Sequence, residues 1–260
     1  MILDYSISDV APYINWIYFF HAWGGSRMPL QEKQRLQAEA EERLQSDADR
    51  YRVHAVFRLF DVYSDGDDIV FPDIRLPLLR QQLADSQFLC LSDFVRTDKD
   101  RVGVFATTVD HGLESDFDHD PYEKMMMQLL ADRLAEAAAE RMHEEVRKRY
   151  WGYAPDEQLS ISDMLSEKWQ GIRPAVGYPS LPDTSLNFLI DRLIGMSQIG
   201  IRLTESGAMK PHASVSGMMI SRPEAHYFAV GKIGEDQLKD YARRREVPVE
   251  LMRKFLGGNL

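Results

Sequence analysis

An α+β fold is what the sequence predicts, on three observations. Strand-like and helix-like stretches come in blocks rather than in regular alternation, which argues against a doubly wound parallel sheet. One helical stretch, residues 121–149, spans roughly 40 Å at about 1.5 Å per residue, enough to cross a whole domain. And 44% of the 260 residues are hydrophobic, enough to fill a sizeable core and to exclude wholesale disorder. Length alone allows one large domain or two small ones.

Taken in order, residues 31–51 are rich in Gln, Glu, Ala, Arg and Leu and predict a helix with a narrow buried stripe of Leu36, Ala40 and Leu44. Val53, Ala55-Val56-Phe57 and Leu59-Phe60 read as a buried strand. The turn Tyr63 to Asp68 and the run Ile69-Val70-Phe71 then make a hairpin. Residues 102–109 (VGVFATTV) are a third β-rich run. In the long helix, Pro121 suits the first turn, and Met126, Leu130, Leu134, Ala138, Met142 and Val146 recur every fourth position. The methionines from Met125 to Met127 read as core filling.

Trp151 to Pro155 ends that helix, and Ser160 to Trp169 reads as a short capped one. Residues 171–183 (GIRPAVGYPSLPD) hold two glycines and three prolines, which makes them a constrained loop of the kind that carries binding groups. A helix follows over about 185–193, and residues 200–232 read as β-rich, including 214–217 and 227–230. Two helices close the chain: 235–245, then one begun near Pro248 and stopped by Gly257-Gly258.

Charge and motifs exclude several functions. With 31 basic against 41 acidic side chains the net charge is −10, which argues against a nucleic-acid partner, because a phosphate-backbone binder needs a basic face. The single cysteine, Cys90, supplies neither an internal disulfide nor a cysteine metal cluster. The N-terminus carries no signal-peptide pattern. The most apolar run, Ile14 to Trp23, falls far short of the about 20 residues of a membrane span. A cytoplasmic protein without a membrane partner is the expectation. No Gly-rich phosphate loop is present. His143-Glu144 begins like a metalloprotease helix, but Arg147 stands where its second histidine would be. Ser214 and Ser216 near His212 lack the nucleophile-elbow spacing. The acidic run Asp110 to Asp120 reads as a solvated loop whose Asp118 and Asp120 suit the start of the long helix.

Two residues stand out. Glu136 sits on the long helix beside the buried stripe. Arg133, three residues back, can answer it, while Asp132 and Glu140 are like charges four residues to either side, which makes a cationic partner attractive. Arg173 in the Pro/Gly loop is either a surface arginine beside a turn or a fork that grips a carboxylate at two points. Gly177 gives room for close approach, and Tyr178 offers a ring.

Arg173-Pro-Ala-Val-Gly177-Tyr178 fits the R-x-x-x-G-Y pattern of the activation domain of cobalamin-dependent methionine synthase, and the resemblance runs over residues 10 to 260. Ala131 to Ala137, His143-Glu144 and Tyr150 to Pro155 resemble the family's long helix and its exit. Leu203 to Ser206, Ala208-Met209, Ser214 to Gly217 and Tyr227 to Val230 resemble its later strands. Asp240 to Arg244 is similar to its closing helix, and Tyr13-Ile-Asn-Trp16, Phe19-Phe20 and Gly66 to Ile69 also match in order.

The resemblance implies one domain over residues 1–260, helical to about residue 51, with a bent antiparallel sheet, flanking helices and the long helix at its centre. It implies that S-adenosylmethionine binds with its carboxylate on Arg173. Tyr227 and Phe228 would lie along the ligand, Gly177 and Tyr178 would shape the loop, and Glu136 would face the ligand's cationic part. Asn15 is placed among the ligand residues, where the family usually has Asp; the amide keeps an acceptor but loses the charge. Phe228 stands where a second tyrosine often occurs. No general acid, base or nucleophile is required, so no catalytic residue is assigned. The expected role is a free-standing reactivation subunit supporting reductive remethylation of cob(II)alamin on a cobalamin-binding methionine synthase subunit, with a flavodoxin-type reductant. A docking or capping protein for a corrinoid protein, without ligand binding, is the alternative.

Overall fold

A computed structural model of the protein describes residues 1–25, 27–83 and 87–260. In chain order its elements are β1 (Ile2–Ser6), α1 (Ile7–Val10), α2 (Trp16–Gly24), α3 (Leu30–Ser46), β2 (Arg52–Asp65), β3 (Asp68–Val70), β4 (Arg75–Pro77), β5 (Asp100–Val109), α4 (Gly112–Ser115) and α5 (Pro121–Glu145). Then come α6 (Ile161–Leu165), α7 (Asn187–Ile194), β6 (Arg202–Leu203), β7 (Met209–Lys210), β8 (Ser214–Ile220), α8 (Glu235–Arg244) and α9 (Val249–Phe255).

One curled antiparallel sheet organises the molecule, in the order β4-β3-β2-β5-β8. Strand β2 is 14 residues long and serves two neighbours on one edge. Its start pairs with β1 (Ile2 opposite Val56) and its end with β3 (Tyr63 opposite Val70), while β5 runs along its other edge. The α+β expectation with a bent sheet therefore stands, and α5 is its long central helix.

Strand β5 is buried from Val102 to Val109 because both sheet faces are covered there. That explains why VGVFATTV reads as a continuous apolar run instead of an alternation. On one face Phe57, Phe105 and Met219 pack with Leu130, Leu134 and Ala138 of α5. On the other, Val104, Ala106 and Met218 pack with Ile190 and Leu193 of α7. A smaller cluster of Leu238, Tyr241, Met252 and Leu256 seats the two closing helices.

Asp120 caps α5, its carboxylate accepting from the amides of Tyr122 and Glu123 at 2.8 and 3.1 Å, with Pro121 in the first turn. The stripe from Met126 to Val146 is buried as the periodicity predicts. Burial is wider than that stripe, because Ala131, Ala135 and Ala139 let the helix approach the sheet closely; the Thr107 hydroxyl donates to the Ala135 carbonyl at 2.8 Å. Met126 and Met127 fill core, and Met125 faces out. After Glu145 the helix widens into a π turn, Val146–Tyr150.

Three expectations need correction. The N-terminal part is not helical throughout: Ile2–Ser6 is a strand, invisible as such because its regularity comes from pairing with residues about fifty positions later. Helix α3 stops at Ser46, and Asp47 to Arg50 turn so that Tyr51 enters the core. Residues 227–230 are not a strand; this segment runs irregularly beside the Pro/Gly loop, with the Val230 amide donating to the Pro179 carbonyl at 2.9 Å and the Phe228 amide to the Ser180 hydroxyl at 3.3 Å. Among the described residues no helix is long and apolar enough to cross a membrane.

Candidate functional site

Between α5, the 171–183 loop and the 227–230 segment lies a cleft of about 710 Å³. Helix α5 supplies Arg133, Glu136, Ala139 and Glu140, the loop supplies Arg173 to Ala175 and Tyr178 to Ser180, and Tyr227 and Phe228 form a third wall. Tyr18 and His21 of α2 close the fourth side.

The loop is pressed onto β8 through bridges between Ile172 and Ile220 and between Ala175 and Gly217. A Cβ on Gly217 would stand 2.2 Å from the Pro174 carbonyl oxygen and 2.9 Å from the Ala175 Cα, both backbone atoms that cannot swing aside. Gly217→Ala is therefore expected to push the loop off the strand and cost about 1–3 kcal/mol in urea denaturation. Unchanged stability would show that the loop is not held there. Gly177 sets the turn of this loop. Its φ is +89° with ordinary space for a Cβ, so the left-handed turn, closed by its amide donating to the Leu181 carbonyl at 2.8 Å, is what requires glycine.

Arg173 reaches from the loop to α5. Its Nη1 donates to Glu140 Oε2 at 3.1 Å, to the Ala139 carbonyl at 3.0 Å and to His143 Nδ1 at 3.3 Å, and its Nη2 donates to Glu140 Oε1. Its cation lies 5.6 Å from the centre of the Trp169 ring. His143 is fully buried, and burial together with the Arg173 and Arg147 cations pushes its pKa well below the imidazole range. Since an arginine only donates, Nδ1 accepts and Nε2 carries the proton. That proton is donated to the Tyr153 hydroxyl at 3.3 Å, which donates in turn to the Gln170 carbonyl at 3.3 Å. The Arg173 amide donates to the Tyr227 hydroxyl at 2.9 Å, which fixes that ring at the cleft wall.

Glu136 is paired with Arg133 at 2.9 Å, as the three-residue spacing predicts, and receives the Tyr178 hydroxyl at 3.4 Å. Burial raises its pKa, with Arg133 pulling the other way. Glu167 at the rim has a φ of +57°, and burial of its carboxylate raises its pKa against the pull of Arg173.

The structure thus brings Arg173, Glu136, Tyr178, Tyr227 and Phe228 to one cleft, with Gly177 shaping the loop behind it. Asn15 is not brought there. It caps α2 by accepting from the Ile17 amide at 3.2 Å and borders a separate hollow near Ile7, Trp16 and Leu44. Its link to the cleft is indirect, through the helix that presents Tyr18 and His21. Glu167, Trp169 and His21 carry no signal in the sequence, whereas Glu140 was visible only as a like charge, and His143 as a broken metal motif and as part of the resembling helix. Among the described residues no cluster of three or more His, Cys, Asp or Glu is placed to hold a metal ion.

Glu136, Glu140 and Glu167 set against Arg133 and Arg173 leave one net negative charge in the cleft. Such a site suits a ligand with a carboxylate at one end and an excess of positive charge along its body.

A crystal structure described as the MetH reactivation domain bound to AdoHcy is similar at 37% sequence identity and a TM-score of 0.93, over 100% of this chain and 90% of that one. Residues 6–246 match the family model described as the activation domain of vitamin B12 dependent methionine synthase. With nearly its whole length matched and its fold shared, the chain belongs to the methionine synthase activation-domain family.

Proposed function

We propose that the chain binds S-adenosylmethionine in this cleft and serves as a reactivation subunit, docking on a separately carried cobalamin-binding partner and supporting reductive remethylation of cob(II)alamin there. The observation that carries the reading is the charge layout of the cleft. S-adenosylmethionine has one carboxylate against an ammonium and a sulfonium, a net of one positive charge, which complements the one net negative charge of the wall. Arg173 takes the carboxylate, Glu136 and Glu167 face the cationic part, and Tyr178, Tyr227 and Phe228 supply rings along it. AdoHcy, bound in the similar MetH structure, differs from this ligand by the transferred methyl group and the sulfonium charge that goes with it, and keeps the carboxylate and the ammonium.

The sulfonium is itself the activated methyl donor, and the reduced corrinoid on the partner is the nucleophile. The residues of this chain hold and orient the donor, an effect of positioning rather than of acid or base catalysis. A flavodoxin-type protein is the proposed source of the electron and the cytoplasm the proposed compartment, in keeping with the lone buried thiol, Cys90.

Calorimetric titration with S-adenosylmethionine tests the reading. Saturable binding close to one ligand per chain is expected; no saturation at millimolar ligand would overturn it. That second outcome would favour docking without ligand, to which the uncharged Asn15 outside the cleft lends its support.

A further inference from the structure

A guanidinium presents two edges for two-point binding: an end edge formed by Nη1 and Nη2, and a side edge formed by Nε and Nη2. In Arg173 the end edge is already taken by both oxygens of Glu140. Nη1 is held further by the Ala139 carbonyl and His143 Nδ1. The Nε–H has no partner among the described residues, and it is not among the buried polar atoms sealed off without one. The side edge is therefore open.

Glu140 is then either a plug that a ligand must displace or a clamp that aims the open edge. Displacement would swing Nη1 away from Ala139 and His143 and strand the Glu140 carboxylate, whose side chain is only 16% exposed. Leaving the Glu140 carboxylate and His143 Nδ1 without a donor in a largely buried place costs more than using the edge that is already free. His143 reinforces this choice, because its proton is committed to Tyr153 and, among the described residues, its Nδ1 has only Arg173 to accept from.

We propose that Glu140 is a positioning residue of the cleft, holding the end edge of Arg173 so that the side edge meets the ligand carboxylate. The proposal rests on the S-adenosylmethionine reading and adds to it a residue that need not touch the ligand.

The test compares wild type, Glu140→Gln and Glu140→Ala by calorimetry with two probes, S-adenosylmethionine and its decarboxylated analogue. The analogue keeps the adenosine, sulfonium and ammonium and lacks only the group Arg173 is aimed at. Glu140→Ala is expected to weaken S-adenosylmethionine binding roughly 10- to 100-fold and Glu140→Gln by less, while binding of the analogue, which loses only the longer-range pull of one carboxylate, falls by a clearly smaller factor in each variant. Tighter binding of S-adenosylmethionine by Glu140→Gln would establish a plug and overturn the clamp. Equal weakening for both probes would overturn it as well, since it would report general loosening.

A ligand-free measurement separates this proposal from the function it rests on. Rotation of the Arg173 guanidinium about its Nε–Cζ bond, followed by nitrogen NMR, is expected to be hindered in wild type and faster in Glu140→Gln. If wild type binds no S-adenosylmethionine but shows that hindrance, the function fails and the clamp stands; free rotation in wild type overturns the clamp.

Discussion

Arg173→Ala is expected to abolish measurable S-adenosylmethionine binding. Two hydrogen bonds from a guanidinium edge to a carboxylate are each worth about 1.5–3 kcal/mol, so their joint loss is about 3–6 kcal/mol, or roughly 10²- to 10⁴-fold in affinity. The same change strands Glu140 and removes the donor to His143, so the protein should also lose about 1–3 kcal/mol of stability. Arg173→Lys separates the two effects. Its ammonium can still answer Glu140, which restores most of the stability, but a point charge cannot serve Glu140 and the ligand as two edges of a planar fork. Affinity should stay low in the lysine variant while the thermal midpoint recovers. A folded alanine variant that binds as tightly as wild type would refute the assigned site.

The largest effect on stability is expected at Asp183, the last residue of the binding loop. Its carboxylate is fully buried and accepts from the Tyr241 hydroxyl at 2.8 Å, Arg245 Nη1 at 2.9 Å and the Ser185 amide at 2.9 Å. Arg245 is almost as deeply buried, with a side chain 5% exposed. Asp183→Ala leaves that cation without its counter-charge in a dry place, at a cost of about 3–5 kcal/mol. Domains hold only about 5–15 kcal/mol in total, so this variant stands near the edge of folding. Asp183→Asn keeps the cap on Ser185 and a partial acceptor for Arg245, and should fall between the two. Equilibrium urea denaturation of the three proteins reads the series directly. A loss under about 1 kcal/mol for the alanine variant would mean that Arg245 finds another partner or water. This network ties the loop that carries Arg173 to the closing helix, so the variant's ligand affinity should fall with its stability.

Much of the frame was legible because it is written in short-range periodicity. A face repeating every four residues with a capped start gave α5, a short β-rich run gave β5, and proline with glycine gave the 171–183 loop. The Arg133–Glu136 pair was equally legible, being separated by one helical turn. Strand β1 was not legible, because five residues become a strand only when β2 accepts them. Nor was the irregular course of residues 227–230, whose backbone partners are in the Pro/Gly loop about 50 positions earlier.

The site divides along the same line. The sequence by itself determined which chemistry was available: one arginine in a stiff loop, carboxylates along a helix, aromatic residues near the end, and a resemblance that put them in order. Only the tertiary structure decided how they meet. Asn15 has the right place in its motif, yet its amide is spent on the start of its own helix. Glu140, one turn after Glu136, reads as a surface charge until the loop 33 residues later lays Arg173 across it. Helical spacing is set by neighbours within a turn, whereas the partner of a buried charge is set by whichever distant segment packs against it, because only there must the charge be answered without water.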